Sequence, residues 1–212
     1  TLAAVNLDLR NGASRHRFGL TAEPPRALAA RLDIRGDLRG EDLAQIDSWR
    51  GQLYAELDYA DLAGWRAWVD YPVELPRGNG GLRLWLDIER QSLAGATADL
   101  RLAGTAVRLA PGLPMLDLVR VDGRLAMQRD DEGFRLQTRR LALQTRDGIR
   151  IEPSDIDFDW QPGSERRTAR GEVGANQVDI GALAELAAYL PFDAGVRDKV
   201  VAWGPQGRVR DL

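Results

Sequence analysis

His16 is the only histidine in the chain, and cysteine is absent. These two facts remove disulfides, thiolate catalysis and Cys–zinc sites, and they leave little for a transition metal. His16 could serve a Ser/His/Asp triad, but no G-x-S-x-G nucleophile elbow accompanies it. It shares an alternating face with Phe18 and Leu20, which reads as an ordinary strand-end residue. The densest acidic cluster is Asp155-Ile-Asp-Phe-Asp159, whose three carboxylates fall on one strand face and could hold a calcium ion. No EF-hand spacing or Gly turn follows it. The expected role is therefore a solvated face, ion-paired with Arg166, Arg167 and Arg170 on the next strand. Gly78-Asn-Gly-Gly81 opens a strand and lacks the Lys-Ser/Thr of a phosphate loop, so it reads as a hairpin or bulge. Of six tryptophans, Trp65, Trp68 and Trp203 fall on helical stripes and are expected to pack on a sheet. Trp49 and Trp85 are candidates for the surface, with packing favoured over sugar stacking. No convergent catalytic constellation emerges. The expectation is a protein that is not an enzyme, with no cofactor and no metal.

The elements that would position these residues are mostly strands. Val5, Leu7 and Leu9 alternate with Asn6, Asp8 and Arg10, and Leu82, Leu84, Leu86 and Ile88 alternate with Arg83, Trp85, Asp87 and Glu89. Similar runs recur through Leu28–Ile34, Leu53–Tyr59, Leu100/Leu102, Val119/Val121/Leu125/Met127, Phe134/Leu136, Ile156/Phe158/Trp160 and Ala169/Val173/Ala175. One apolar and one charged face per run is the mark of antiparallel strands with one side wet. Turn signals such as Asn11-Gly12, Asp147-Gly148 and Pro162-Gly163 separate them. Helical signals are short: Asp61 before Leu62, Trp65 and Val69; Asp179 before Ile180–Leu190; Asp193 before Val196, Val200 and Trp203; and, more weakly, Glu41–Asp47.

Hydrophobic residues at 44% and charged residues at 29% specify a folded chain. A net charge of −3 with both signs interspersed supplies no basic field, which argues against nucleic-acid binding. No apolar run is long enough to span a bilayer. Ten or more strands, about 4.8 Å apart, outnumber what three or four short helices can cover, since each helix shields about two strands. The surplus apolar face must either fold over as a sandwich or line a groove.

Several motifs occur in a familiar order. They are Asp47-Ser-Trp-Arg-Gly-Gln-Leu-Tyr54, Asp61-Leu-Ala-Gly-Trp65, Gly80-Gly-Leu-Arg-Leu-Trp-Leu-Asp87, Asp179-Ile-Gly-Ala-Leu183, Tyr189-Leu-Pro191 and Trp203-Gly-Pro-Gln-Gly207. From about Trp49 to Leu212 this order resembles the YhdP-type members of the AsmA-like family. The resemblance implies a mainly β fold, a long twisted antiparallel sheet curled into an open groove with a few short helices. It also implies a periplasmic location in a Gram-negative envelope and a parent anchored in the inner membrane through parts outside this segment. The implied activity is carriage of phospholipids between inner and outer membranes, in support of the outer-membrane barrier, with no catalytic residues. Residues 1–212 would then be a single β-rich segment of a longer protein, consistent with the strand-like patterns at Leu2–Arg10 and Gly207–Leu212. Phospholipid acyl chains are the expected partner, with other envelope proteins as further partners. On this reading Leu84, Leu86, Leu100, Leu102, Val121, Leu125, Leu136, Ile156 and Phe158 line the groove. The alternative is a non-catalytic scaffold or interaction module with a closed β-sandwich core and partners at an edge strand.

Overall fold

The computed structural model describes residues 2–40, 49–67, 70, 73–90, 92–130, 133–163, 168–191 and 194–211. Ten strands form one antiparallel sheet whose spatial order follows the chain. They are β1 (Ala3–Asn11), β2 (Arg15–Glu23), β3 (Leu32–Arg39), β4 (Arg50–Asp61), β5 (Glu74–Glu89), β6 (Ser92–Arg108), β7 (Leu116–Asp130), β8 (Gly133–Thr145), β9 (Arg150–Gln161) and β10 (Arg170–Ala175). β1 and β10 are its two edges and do not pair with each other, so the curled sheet is an open groove and not a barrel. The mainly β architecture expected from the alternation is the one observed.

The central strands are longer than the apolar runs suggested. β5, β6 and β7 have 16, 17 and 15 residues. Irregularities in register conceal this length, because each one shifts the two-residue period. Between the pairs Ala103–Arg120 and Thr105–Leu118 sits Gly104, with φ at +56°. The alternation of β7 loses its phase at Val119, the extra residue between the pairs Leu118–Thr145 and Arg120–Gln144: expected on the apolar face, Val119 is 42% exposed, and Leu118 is buried instead. The run expected from Leu28 is also shortened. Pro25 accepts from the Leu28 N–H in a turn, and β3 starts only at Leu32.

Three local elements follow the sequence signals closely. Asp61 accepts from the N–H groups of Ala63 and Gly64, at 3.1 and 3.2 Å, and starts a single 3-10 turn at Gly64–Ala67. Asp179 caps α1 (Ile180–Ala187) by accepting from Ala182 N–H at 3.1 Å. This helix stops short of Leu190 because Tyr189 and Leu190 bond back three residues, to Leu186 and Ala187, ahead of Pro191. α2 (Ala194–Trp203) packs against α1. The expected helix at Glu41–Asp47 lies outside the described residues, as do Trp68, Val69 and Asp193.

Two expectations need correction. Trp203 does not pack on the sheet; it stands 88% exposed at the end of α2. The segment after Gly207 does not extend the main sheet either. Its strand β12 (Arg208–Arg210) pairs with β11 (Gln177–Asp179) in a separate two-stranded ribbon, anchored where Ile180 N–H donates to Gly207 O.

The core sits at one end of the long strands. Val107, Leu116, Leu118, Val121, Ile149 and Ile151 are buried there beneath Leu186 of α1. Tyr189 Oη donates to Asp147 Oδ2 at 2.7 Å and ties the end of α1 to the β8–β9 hairpin. A smaller cluster of Ala29, Ala60 and Leu62 lies beside it, against Trp65. Gly123, at φ +133°, is needed in this region: a Cβ there would lie 2.6 Å from Leu141 Cα. Gly123→Val should therefore destabilise by about 2–4 kcal/mol. Gly112→Ala, at an open position with φ +81°, should cost only about 1 kcal/mol. Urea midpoints of the two variants that shift equally would contradict this packing.

Candidate functional site

The pairing register aligns the apolar faces of the strands into rows that run across the sheet. One row is Leu9, Phe18, Gly36, Leu53, Leu86, Ala96, Met127, Leu136, Phe158 and Val173, with one residue from each of the ten strands. No polar side chain interrupts it. At Gly36 the missing side chain leaves room for the Phe18 ring, which a Cβ would meet at 2.1 Å. A second row lies beside it: Leu7, Leu20, Ile34, Ala55, Leu84, Ala98, Leu125, Thr138, Ile156 and Ala175. Thr138 is its one polar residue. Its hydroxyl donates to Ser154 O and accepts from Ile156 N–H, so it repairs the ladder where β8 bulges away from β9.

All nine residues expected to line the groove fall on this face. Leu86, Leu136 and Phe158 belong to the first row, and Leu84, Leu125 and Ile156 to the second. These six are half-buried. Leu100 pairs with Leu82 and Gly123 in a third row, and Leu102 with Gly80 and Val121 in a fourth. Val121 is 7% exposed, inside the core beneath α1, and Leu100 and Leu102 pack against that core. The face is thus closed at the α1 end and less covered along the first two rows. The single-strand alternation did not show that the rows extend to both edges. There Leu7, Leu9 and Val173 are more than half exposed.

The opposite face is a mesh of arginine–carboxylate pairs: Arg15–Asp37, Arg83–Glu56, Arg124–Asp99, Arg135–Asp159 and Arg139–Asp157. The acidic cluster finds its partners on the preceding strand, and this corrects the expected pairing with the following one. Asp157 accepts from Arg139 and from Gln137 Nε2, and Asp159 from Arg135. Asp155 accepts from the backbone N–H of Arg140, a bulge residue with φ +50°. Arg170 pairs with Glu172 on its own strand, while Arg166 and Arg167 lie outside the described residues. Trp85 belongs to this face too, tilted against Tyr54 at 5.3 Å and beneath the Arg124 guanidinium at 5.4 Å. His16 is buried and stacked on Trp49, with ring centroids 4.7 Å apart. Its Nε2 faces Gly40 O and its Nδ1 faces Asn11 Oδ1, so it serves to seal one end of the sheet. No group of three or more His, Asp or Glu residues arranged to hold a metal occurs among the described residues.

An open ten-stranded sheet with one apolar and one ion-paired face is the form of a β-groove protein. The chain belongs to the YhdP family: the family model described as "YhdP protein" matches residues 1–212. The match includes the strands before Trp49, where the motifs are weakest. Membership suggests a bridge-like lipid-transport protein of the periplasmic envelope. Neither a curated protein nor a solved structure matches the chain.

The ion-paired face has a consequence for acid stability. Arg139 first, then Gln137, holds the Asp157 carboxyl below its usual range. Arg124 does the same for Asp99, and Tyr54 and Arg83 for Glu56. A carboxyl whose pKa is depressed by folding stabilises above its unfolded pKa, about 4, and loses that contribution as pH falls through the folded value. The melting temperature should stay level from neutral pH to about pH 5 and fall below about pH 4. Asp157→Asn should cost about 0–1 kcal/mol, since the pair is exposed. A melting temperature raised by calcium in the wild type and not in Asp157→Asn would instead make the cluster a cation site.

Proposed function

We propose that this segment carries phospholipids along the two apolar rows, in a protein anchored in the inner membrane by parts outside it. The destination is the outer membrane, whose barrier this traffic maintains. The observation that carries the proposal is the continuity of the rows across all ten strands without a charge. At about 4.8 Å per strand the lane is about 43 Å long, more than the hydrocarbon thickness of a bilayer, about 30 Å. An acyl chain in it gains about 0.8 kcal/mol for each CH₂ taken from water. The headgroup stays at the wet margin, so no charge need be buried. Against a closed sandwich stands the absence, among the described residues, of any second sheet other than the short β11–β12 ribbon.

Charge substitutions separate a lane from a core. In the full-length protein, Leu86→Arg and Leu136→Asp should leave the fold intact, because the ion can reach water, yet block lipid passage and make the outer membrane leaky. Val121→Asp, under α1, should unfold the segment, at a cost of about 4 kcal/mol or more. Photo-crosslinkers at Leu86 and Phe158 should capture phospholipid in cells, while one at Asp87 should not. Equal labelling of both faces, or none on either, would end this reading.

A further inference from the structure

The charged face carries a feature that the lipid lane does not use. A depression of about 860 Å³ lies across its centre, over β4 to β9. Its floor is low because Gly81, opposite Arg101, and Ala142, opposite Asp122, present little or no side chain there. Seven arginines and four carboxylates line it. Asp99 and Asp122 are engaged by Arg124 and Arg120, and Arg124 grips Asp99 through Nε and Nη2 at 2.5 and 2.8 Å. Arg101, Arg140 and Arg150 have no ion-pair partner among the described residues. They are brought together by register and not by sequence. Arg101 lies opposite Gly81 and Asp122, Arg150 lies opposite Gln144, whose other neighbour is Arg120, and Arg140 stands on the β8 bulge. Guanidinium groups without counter-ions on one lining repel one another and match the geometry of phosphate oxygens.

We propose that this depression binds a multiply charged, phosphate-bearing anion. Its volume is that of a small-molecule site and exceeds what one inorganic phosphate fills. Seven arginines against four carboxylates leave an excess of three positive charges on the lining, matched by the three arginines that have no ion-pair partner among the described residues. The same chemistry is offered by a soluble polyphosphate and by the headgroups of an anionic bilayer. The site lies on the face opposite the apolar rows, so it stands or falls independently of the lipid lane.

Tripolyphosphate titrated calorimetrically into the protein should bind, and more weakly as salt is raised. The triple variant Arg101→Ser, Arg140→Ser, Arg150→Ser should lose at least about tenfold in affinity with its melting temperature unchanged. Arg39→Ser with Arg50→Ser, outside the depression, should bind as the wild type does. Flotation with phosphatidylcholine vesicles, with and without phosphatidylglycerol, identifies the source. Binding to the anionic vesicles that tripolyphosphate displaces assigns the site to lipid headgroups; tripolyphosphate binding alone assigns it to a soluble anion. No binding of either probe overturns the proposal. So does equal loss in the triple variant and in Arg39→Ser/Arg50→Ser, which would mean diffuse charge and no site.

Discussion

In a meander of ten antiparallel strands, a slip of one residue in any pair turns every side chain beyond it to the other face. The apolar rows exist only because all nine pairings keep phase along the whole sheet. Two physical effects hold that phase. Burial at the α1 end fixes β6 to β9, where Val107, Leu118, Val121 and Ile151 must share one side. Away from the core, the arginine–carboxylate pairs take over this role. Each exposed pair adds little stability, but a shifted register would set like charges opposite one another, as on β8 and β9, where Arg135 now meets Asp159 and Arg139 meets Asp157. The charged face thus specifies the alignment that the apolar face exploits.

Closure and openness then follow from what covers the sheet. α1 and the turn at Gly64–Ala67 lie over the third and fourth rows, and Leu186 and Trp65 complete clusters there. Large apolar residues stay partly in water here: Met127 in the first row, and Phe134 and Trp160, paired with each other beside it, are each more than a third exposed. A contiguous apolar strip of this kind is uncommon on a soluble protein unless something occupies it. A closed core would also have called for side-chain interdigitation between two layers, and among the described residues the second layer lies at the α1 end.

Much of this was legible in the residues. Leu82 to Ile88 alternates so cleanly that its face follows from the sequence, and Asp179 marked the start of α1. What remained hidden was whatever depends on relations between strands. Leu118 and Val119 compete for one face, and the choice between them is made by the bulge between Leu118 and Arg120, set by the pairing with β8. The partners of Asp155, Asp157 and Asp159 could lie on either flanking strand, and nothing local to Asp155–Asp159 selects β8 over β10. Arg101, Arg140 and Arg150 are spread over three strands and come to line one depression only through the registers that join those strands. Trp203 fitted a helical stripe, but the stripe alone does not say whether anything lies opposite it.

The two faces also differ in how they can fail, and this difference ties structure to function. On the proposed reading, an apolar lane tolerates substitution among Leu, Met, Phe and Val, because a fluid chain imposes no fixed geometry on what it slides past; the mixed composition of the first row fits that tolerance. It does not tolerate a charge, which would stop an acyl chain at a single point. The opposite face tolerates the loss of one ion pair, since its neighbours still report the register. Both faces are sensitive instead to backbone changes at Gly123 and Arg140, where bulges shift the pairing of β7 with β8 and of β8 with β9. If the apolar rows carry lipid as proposed, the sheet guides a mobile ligand on one side while holding its own alignment on the other, which calls for weak, redundant contacts on both faces and rigid geometry only at the bulges and beneath α1.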